Sequence, residues 1–234
     1  MILRNLDFLS RDPVGFLVVM ALTIGALVAA ITVHEFSHAM VASGLGDSTA
    51  RRLGRVSLDP RVHLDPAGSI MLLLAGFGWG KPVPVNPAAF GRHAFRGMAL
   101  VASAGPLSNV VTAGVLALPF KLDLVTWPFA ILSVPRALTP EALLGQLLAI
   151  TVFFNLVLAV FNLIPVAPLD GSKIALGLLP RRQAARFLQY ERWGPGILLS
   201  VILLDIFTGI GILWGVIGPA VNLLSVPIVG HRIV

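Results

Sequence analysis

Apolar positions along this chain gather into runs that approach or exceed a bilayer crossing, and polar positions fall between them in segments rich in glycine, proline and arginine. A spanning helix needs about 20 mostly apolar residues. The pattern predicts a first membrane helix over 13–43, stopped by Gly44 and Gly46. A second is expected over 97–118 and a third over 142–163, the last ended by Pro165 and Pro168. The apolar stretch 195–229 suits either one long span or a short hairpin broken near Pro219. The expected fold class is an all-α polytopic membrane protein.

Between the first and second helices the pattern changes twice. Residues 47–66 are polar, with a weak alternation over 50–58 that would suit a short hairpin. Residues 68–80 offer only about a dozen apolar positions, interrupted by Gly76, Gly78 and Gly80, which is too short for an ordinary span and suits a re-entrant or interfacial element. The segment 81–87 reads Lys-Pro-Val-Pro-Val-Asn-Pro and is expected to run extended, because each proline disfavours helix for the residue before it. Residues 172–192 form a basic, partly amphipathic stretch, and no internal repeat or low-complexity linker is evident. The N-terminal apolar run resembles a signal peptide only superficially and reads as a retained first helix.

Composition agrees with the pattern: 56% of residues are hydrophobic and 12% charged, with a mean hydropathy of +0.90. That is about half the charge fraction of a soluble domain. The formal charge of +6 is accounted for by topology and anionic headgroups, so nucleic acid is not an expected partner. If 68–80 is re-entrant, one side of the membrane collects Arg51, Arg52, Arg55, Arg61, Lys81, Arg92, Arg96, Lys173, Arg181, Arg182, Arg186 and Arg192, twelve of the seventeen cations. The other side keeps Arg4, Arg11, Lys121, Arg136 and Arg232. The positive-inside bias then puts the loop after the first helix in the cytoplasm. There is no cysteine, so any metal must be held by His, Asp or Glu.

The chemistry is concentrated where the first apolar run ends, at His34-Glu35-Phe36-Ser37-His38. On a helix, positions i and i+4 lie one above the other, so His34 and His38 offer two imidazoles to one zinc ion with Glu35 beside them. Ionisable residues at such a depth mark function. A catalytic zinc site typically takes three protein ligands. Asp170 is the candidate third, since Pro165 and Pro168 break the third helix and Gly171 permits a tight turn; its plainer alternative is to cap the segment that follows. The re-entrant assignment brings the ends of the first and third helices to the same membrane face, whereas a full span over 68–80 would put Asp170 on the opposite face from the histidines. On the second helix, Gly105 would allow close helix approach, and Asn109 would serve either a substrate carbonyl or helix packing. Asn162 is similarly divided between the broken helix end and the site. His63 and His93 read as loop residues, and Asp205, inside an apolar run, reads as paired or hydrated.

In these residues the chain resembles the site-2 protease family of intramembrane zinc metalloproteases: His34 to His38, Gly105-Pro106-Leu107-Ser108-Asn109, and 162–171 with its Leu-Asp-Gly ending. The resemblance covers about 14–173. It implies a three-helix catalytic core, to which the hydrophobic pattern adds a re-entrant or extended segment and one or two C-terminal membrane helices. It further implies one zinc ion on His34, His38 and Asp170, Glu35 as base, and hydrolysis of a peptide bond in or near the transmembrane segment of a membrane-protein substrate. The chain looks like a compact member, with no segment long or polar enough for a PDZ insert. A single integral-membrane domain over 1–234 is expected, with a catalytic core over 14–173 and a C-terminal membrane region over 174–234. Its setting would be a prokaryotic inner membrane with the site toward the cytoplasm. A helical substrate must be unwound before attack, and the extended 81–87 segment, with Asn86, is expected to pair with the unwound strand. Oligomeric state stays open, a homodimer being one option. The rival reading is a non-catalytic scaffold or transporter with a structural metal, which would tolerate Glu35→Gln.

Overall fold

A computed structural model describes residues 6–75, 78–135 and 138–234. A short helix α1 (Leu6–Arg11) leads into the 32-residue α2 (Pro13–Gly44). Pro13 occupies the first turn, where its missing N–H is not needed, and the Asp12 carboxylate accepts the Gly15 N–H at 2.9 Å. The other long helices of the core are α5 (Ala94–Lys121) and α6 (Pro140–Asn162). All three pack on one another. Alanines line these contacts: Ala30, Ala113, Ala117, Ala149 and Ala159 are wholly buried. Small side chains let the backbones approach where lipid offers no hydrophobic driving force. The opposite faces carry exposed Leu17, Leu107, Val111 and Val115, an apolar outer surface suited to lipid. Gly15 abuts Val134, so α2 begins at the end of the bundle where α5 passes over to α6.

The connection from α2 to α5 is the most structured of the loops. No hairpin forms over 50–58: the Asp47 carboxylate accepts the Thr49 N–H at 3.0 Å and starts a helical turn, α3 (Thr49–Arg52). This local side-chain bond overrides a weak alternation. A 3-10 turn (Pro60–Val62) follows, capped by Asp59. Then α4 (Pro66–Ala75) runs for about 15 Å, half of a hydrocarbon layer. The chain comes back beside its point of departure, with Leu64 and Gly80 joined in an antiparallel bridge and the Lys81 N–H donated to the His63 carbonyl at 2.7 Å. Gly68 makes this closure possible, since a Cβ there would strike the Trp79 backbone. The short apolar element is thus re-entrant, as its length implied. Residues 81–86 carry no helix, and a 3-10 segment (Pro87–His93) that the sequence pattern did not announce leads into α5.

After α6 a turn brings the chain back into α7 (Asp170–Leu178), which packs along α5. A surface helix α8 (Arg181–Glu191) buries Ala184 and exposes Arg182 and Arg186. The C-terminal region is two helices, α9 (Gly194–Thr208) and α10 (Ile212–Val229). The break falls at Gly209 and Gly211, both at positive φ, and not near Pro219, which lies inside α10. Two left-handed glycines stop a helix more firmly than one lost N–H. Asp205 re-starts it, accepting the Ile212 and Leu213 N–H groups at 2.6 and 2.8 Å. Gly194 packs on Ala167, whereas Lys121 Nζ reaches the Pro227 carbonyl at 2.6 Å and His231 stacks edge-on to Trp127. Together α9 and α10 pass from one end of the bundle to the other, a single net crossing. Among the described residues, four helical stretches are long and apolar enough to span a membrane: α2, Pro87–Lys121, α6 and α10.

Candidate metal centre

One turn of α2 separates His34 from His38, and both imidazoles are buried in the bundle. Their Nε2 atoms lie 3.0 Å apart, and each is 3.1 Å from Oδ2 of Asp170, the first residue of α7. The Nδ1 atoms are occupied elsewhere. His34 donates its Nδ1–H to Asn109 Oδ1 at 2.6 Å, and His38 donates to the Val101 carbonyl at 2.7 Å. Those bonds fix the tautomer, so both Nε2 lone pairs converge on a carboxylate oxygen. Three converging acceptors repel one another unless a cation sits among them. Two neutral imidazoles and one carboxylate form a donor set suited to zinc, and among the described residues these three side chains are the group able to hold a metal ion.

The floor of this site is α5. A Cβ on Gly105 would collide with both imidazoles, so only glycine lets α5 pass this close to α2. Four residues on, Asn109 is completely buried; its carboxamide donates to the Ala30 carbonyl at 3.2 Å and to Asn155 Oδ1 at 2.7 Å. Asn155 in turn donates to the Thr151 carbonyl at 2.8 Å, so one polar chain crosses α2, α5 and α6. Such networks rigidify a core only when every member is satisfied.

A cavity of about 120 Å³ opens on these converging atoms, lined by His34, Glu35, His38, Asn162, Asp170 and Lys173. Its facing wall is Pro82, Val83 and Val85 of the extended segment. Glu35 is half-buried on this cavity and makes no hydrogen bond among the described residues. Asn162 reaches the cavity and donates to the Leu158 carbonyl at 3.0 Å. Asn109 and Asn86 do not line it. Asn109 is spent on His34, and Asn86 accepts the Ala88 N–H at 3.1 Å while donating its own N–H to Asp47 Oδ2 at 2.7 Å. His63 is buried and donates to the Ser57 carbonyl, and His93 accepts from Arg92; neither joins the metal-ligating group. Asp47 and Arg55, which sequence reasoning missed, brace the extended segment at Asn86 and Lys81. A turn aspartate after glycine and one arginine in a basic loop carry no distinguishing pattern.

Buried helices around paired imidazoles, a carboxylate and a free glutamate define a polytopic membrane zinc metalloprotease. The chain belongs to the site-2 protease family: residues 119–203, which include Asp170, match peptidase family M50. It is 38% identical over 194 residues to the candidate zinc metalloprotease YwhC of Bacillus subtilis (strain 168), covering 80% of this chain and 82% of that one. It is 28% identical over 196 residues to the candidate zinc metalloprotease Rip2 of Mycolicibacterium smegmatis, covering 82% and 70%, and 30% identical over 183 residues to Rip2 of Mycobacterium tuberculosis (strain H37Rv), covering 74% and 64%. No solved structure matches the chain significantly.

Proposed function

We propose that this metalloprotease cuts peptide bonds in or near the transmembrane segments of other membrane proteins, and that its 234 residues form one catalytic membrane domain. The observation that carries the proposal is the convergence of His34 Nε2, His38 Nε2 and Asp170 Oδ2, each within 3.1 Å of the next, inside a bundle with an apolar exterior. These three side chains would hold one zinc ion, which would supply Lewis acidity toward a water and the scissile carbonyl. Glu35, with no hydrogen-bond partner among the described residues, takes the proton of the attacking water on its carboxylate and returns it to the leaving nitrogen. Lys173 and Asn162 on the cavity wall offer donors toward the substrate backbone.

The extended 81–86 segment receives the unwound substrate as an added strand. Val83 and Val85 favour this, since their side chains face the cavity and their backbone groups have no protein partner among the described residues. In this reading the cavity mouth faces the cytoplasm, which the positive-inside bias of the twelve cations assigned to one side of the membrane supports.

Zinc content, measured alongside cleavage of a single-span substrate in detergent, tests the assignment for the wild type and for Glu35→Gln. Both are expected to bind about one zinc, with only the wild type cutting. Cleavage by Glu35→Gln would refute the base, and absence of metal from both would refute the ligand set and favour a non-catalytic protein.

A further inference from the structure

The extended segment has two edges, and they are not equivalent. In a strand, the N–H and C=O of alternate residues point to the same edge. Residues 82 and 84 are prolines without an N–H, so the even-numbered edge offers a donor only at Asn86, which Asp47 Oδ2 already accepts at 2.7 Å. Pairing on that edge is blocked, as natural edges often are. The odd-numbered edge carries Lys81, Val83 and Val85. At Lys81 both backbone groups are taken: the N–H by the His63 carbonyl at 2.7 Å, the C=O by Arg55 Nη2. Only Val83 and Val85 remain open.

Arg55 is conspicuous for its burial. At 5% exposure it is the one buried Lys or Arg among the described residues, and its Nε is enclosed without a partner. Burying a guanidinium is costly unless something offsets it. Burial pushes Arg55 below its ordinary value, and the nearby Glu35 carboxylate opposes that shift. Through its Nη2 the buried side chain reaches the backbone at the start of the pairing edge.

We propose that Arg55 is a positioning residue that, with the His63 carbonyl, closes the near end of this edge, so that a substrate strand pairs at Val83 and Val85 in one register only. This rests on the reading of 81–86 as the strand that receives substrate. A strand slip that keeps the same side chains facing the cavity moves by two residues. Freeing the Lys81 carbonyl opens a pairing position displaced by that step, and the scissile bond presented to Glu35 moves with it.

The test maps cleavage positions by intact mass for the zinc-loaded full-length enzyme and a single-span substrate, in the wild type, Arg55→Gln, Arg55→Lys and Val85→Pro. The wild type is expected to cut at one bond. Arg55→Gln should bind zinc as the wild type does but add a second cut two residues away, on the order of a tenth of the product or more. Arg55→Lys, which keeps a cationic donor for the Lys81 carbonyl, should retain the single cut. An unchanged single cut in Arg55→Gln would overturn the proposal, as would loss of zinc from both Arg55 variants, which would make the residue a folding determinant. Val85→Pro separates the two readings. It removes one open N–H and should slow cleavage at least about tenfold. Wild-type cleavage by Val85→Pro would refute strand addition itself, whereas slowed cleavage with no register shift in Arg55→Gln would refute only the role of Arg55.

Discussion

His34 and Asn109 sit on different helices, α2 and α5, and are joined by a 2.6 Å hydrogen bond from the imidazole Nδ1–H to the carboxamide Oδ1. The bond turns a helix-packing contact into a device for aiming Nε2. Asn109 can act this way because Ala30 and Asn155 hold its amide group from the other side.

Asn109→Ala should therefore weaken zinc binding by about 10- to 100-fold, the usual effect of removing a partner that orients a ligand. Chelator-competition titration measures it. Unchanged affinity would mean that packing alone orients His34.

Gly105→Ala is expected to do more damage for one added carbon. Its Cβ would lie inside the contact radius of both imidazoles, so either the histidines or α5 must shift. Zinc content should fall from about one toward zero while the helical circular-dichroism signal persists. A fully loaded Gly105→Ala protein would show that α5 can back away freely.

Asp205 caps α10 through two N–H groups, at 2.6 and 2.8 Å. Asp205→Ala should lower stability by about 1 kcal/mol, the ordinary worth of a helix cap. Reversible unfolding in mixed micelles reads it, and zinc binding is expected to stay unchanged because the cap is remote from the metal-ligating residues.

Asp47 predicts a pH effect with a definite sign. Burial raises its carboxyl, but bonds from Thr49 and the Asn86 N–H outweigh burial and hold it below the ordinary 3.8. A carboxyl lowered by folding adds stability that is present above about pH 4 and is lost as pH falls through the folded value. The stability gap between the wild type and Asp47→Asn should be widest near neutrality and close as pH drops below about 4. A gap independent of pH would show that the charge of Asp47 is not what holds the segment.

The helices and the chemistry were legible in the sequence to different depths. The spacing of His34 and His38 is a local pattern with one sensible reading, whereas Asp170 was open to a second, capping the segment that follows; the structure brings the three side chains together. The re-entrant loop was legible from its length. Asn109 was ambiguous because its role depends on which way α5 is rotated against α2, and no spacing within α5 encodes that. The helix break at Gly209 and Gly211 was hidden by the more conspicuous Pro219. Asp205 looked anomalous until the break beside it gave its carboxylate two N–H groups to hold. Arg55 and Asp47 act on backbone groups remote in sequence, at Lys81 and Asn86, and such contacts leave no periodic trace.

The bridge between Leu64 and Gly80 closes the intervening chain into a loop with its two ends side by side. A loop of this kind has no say in the orientation of anything downstream: lengthened or shortened, it leaves α5, α6 and Asp170 facing as before. The length of this stretch can therefore change without turning the side chains that could hold the metal, and it feeds directly into Pro82, Val83 and Val85 on the cavity wall.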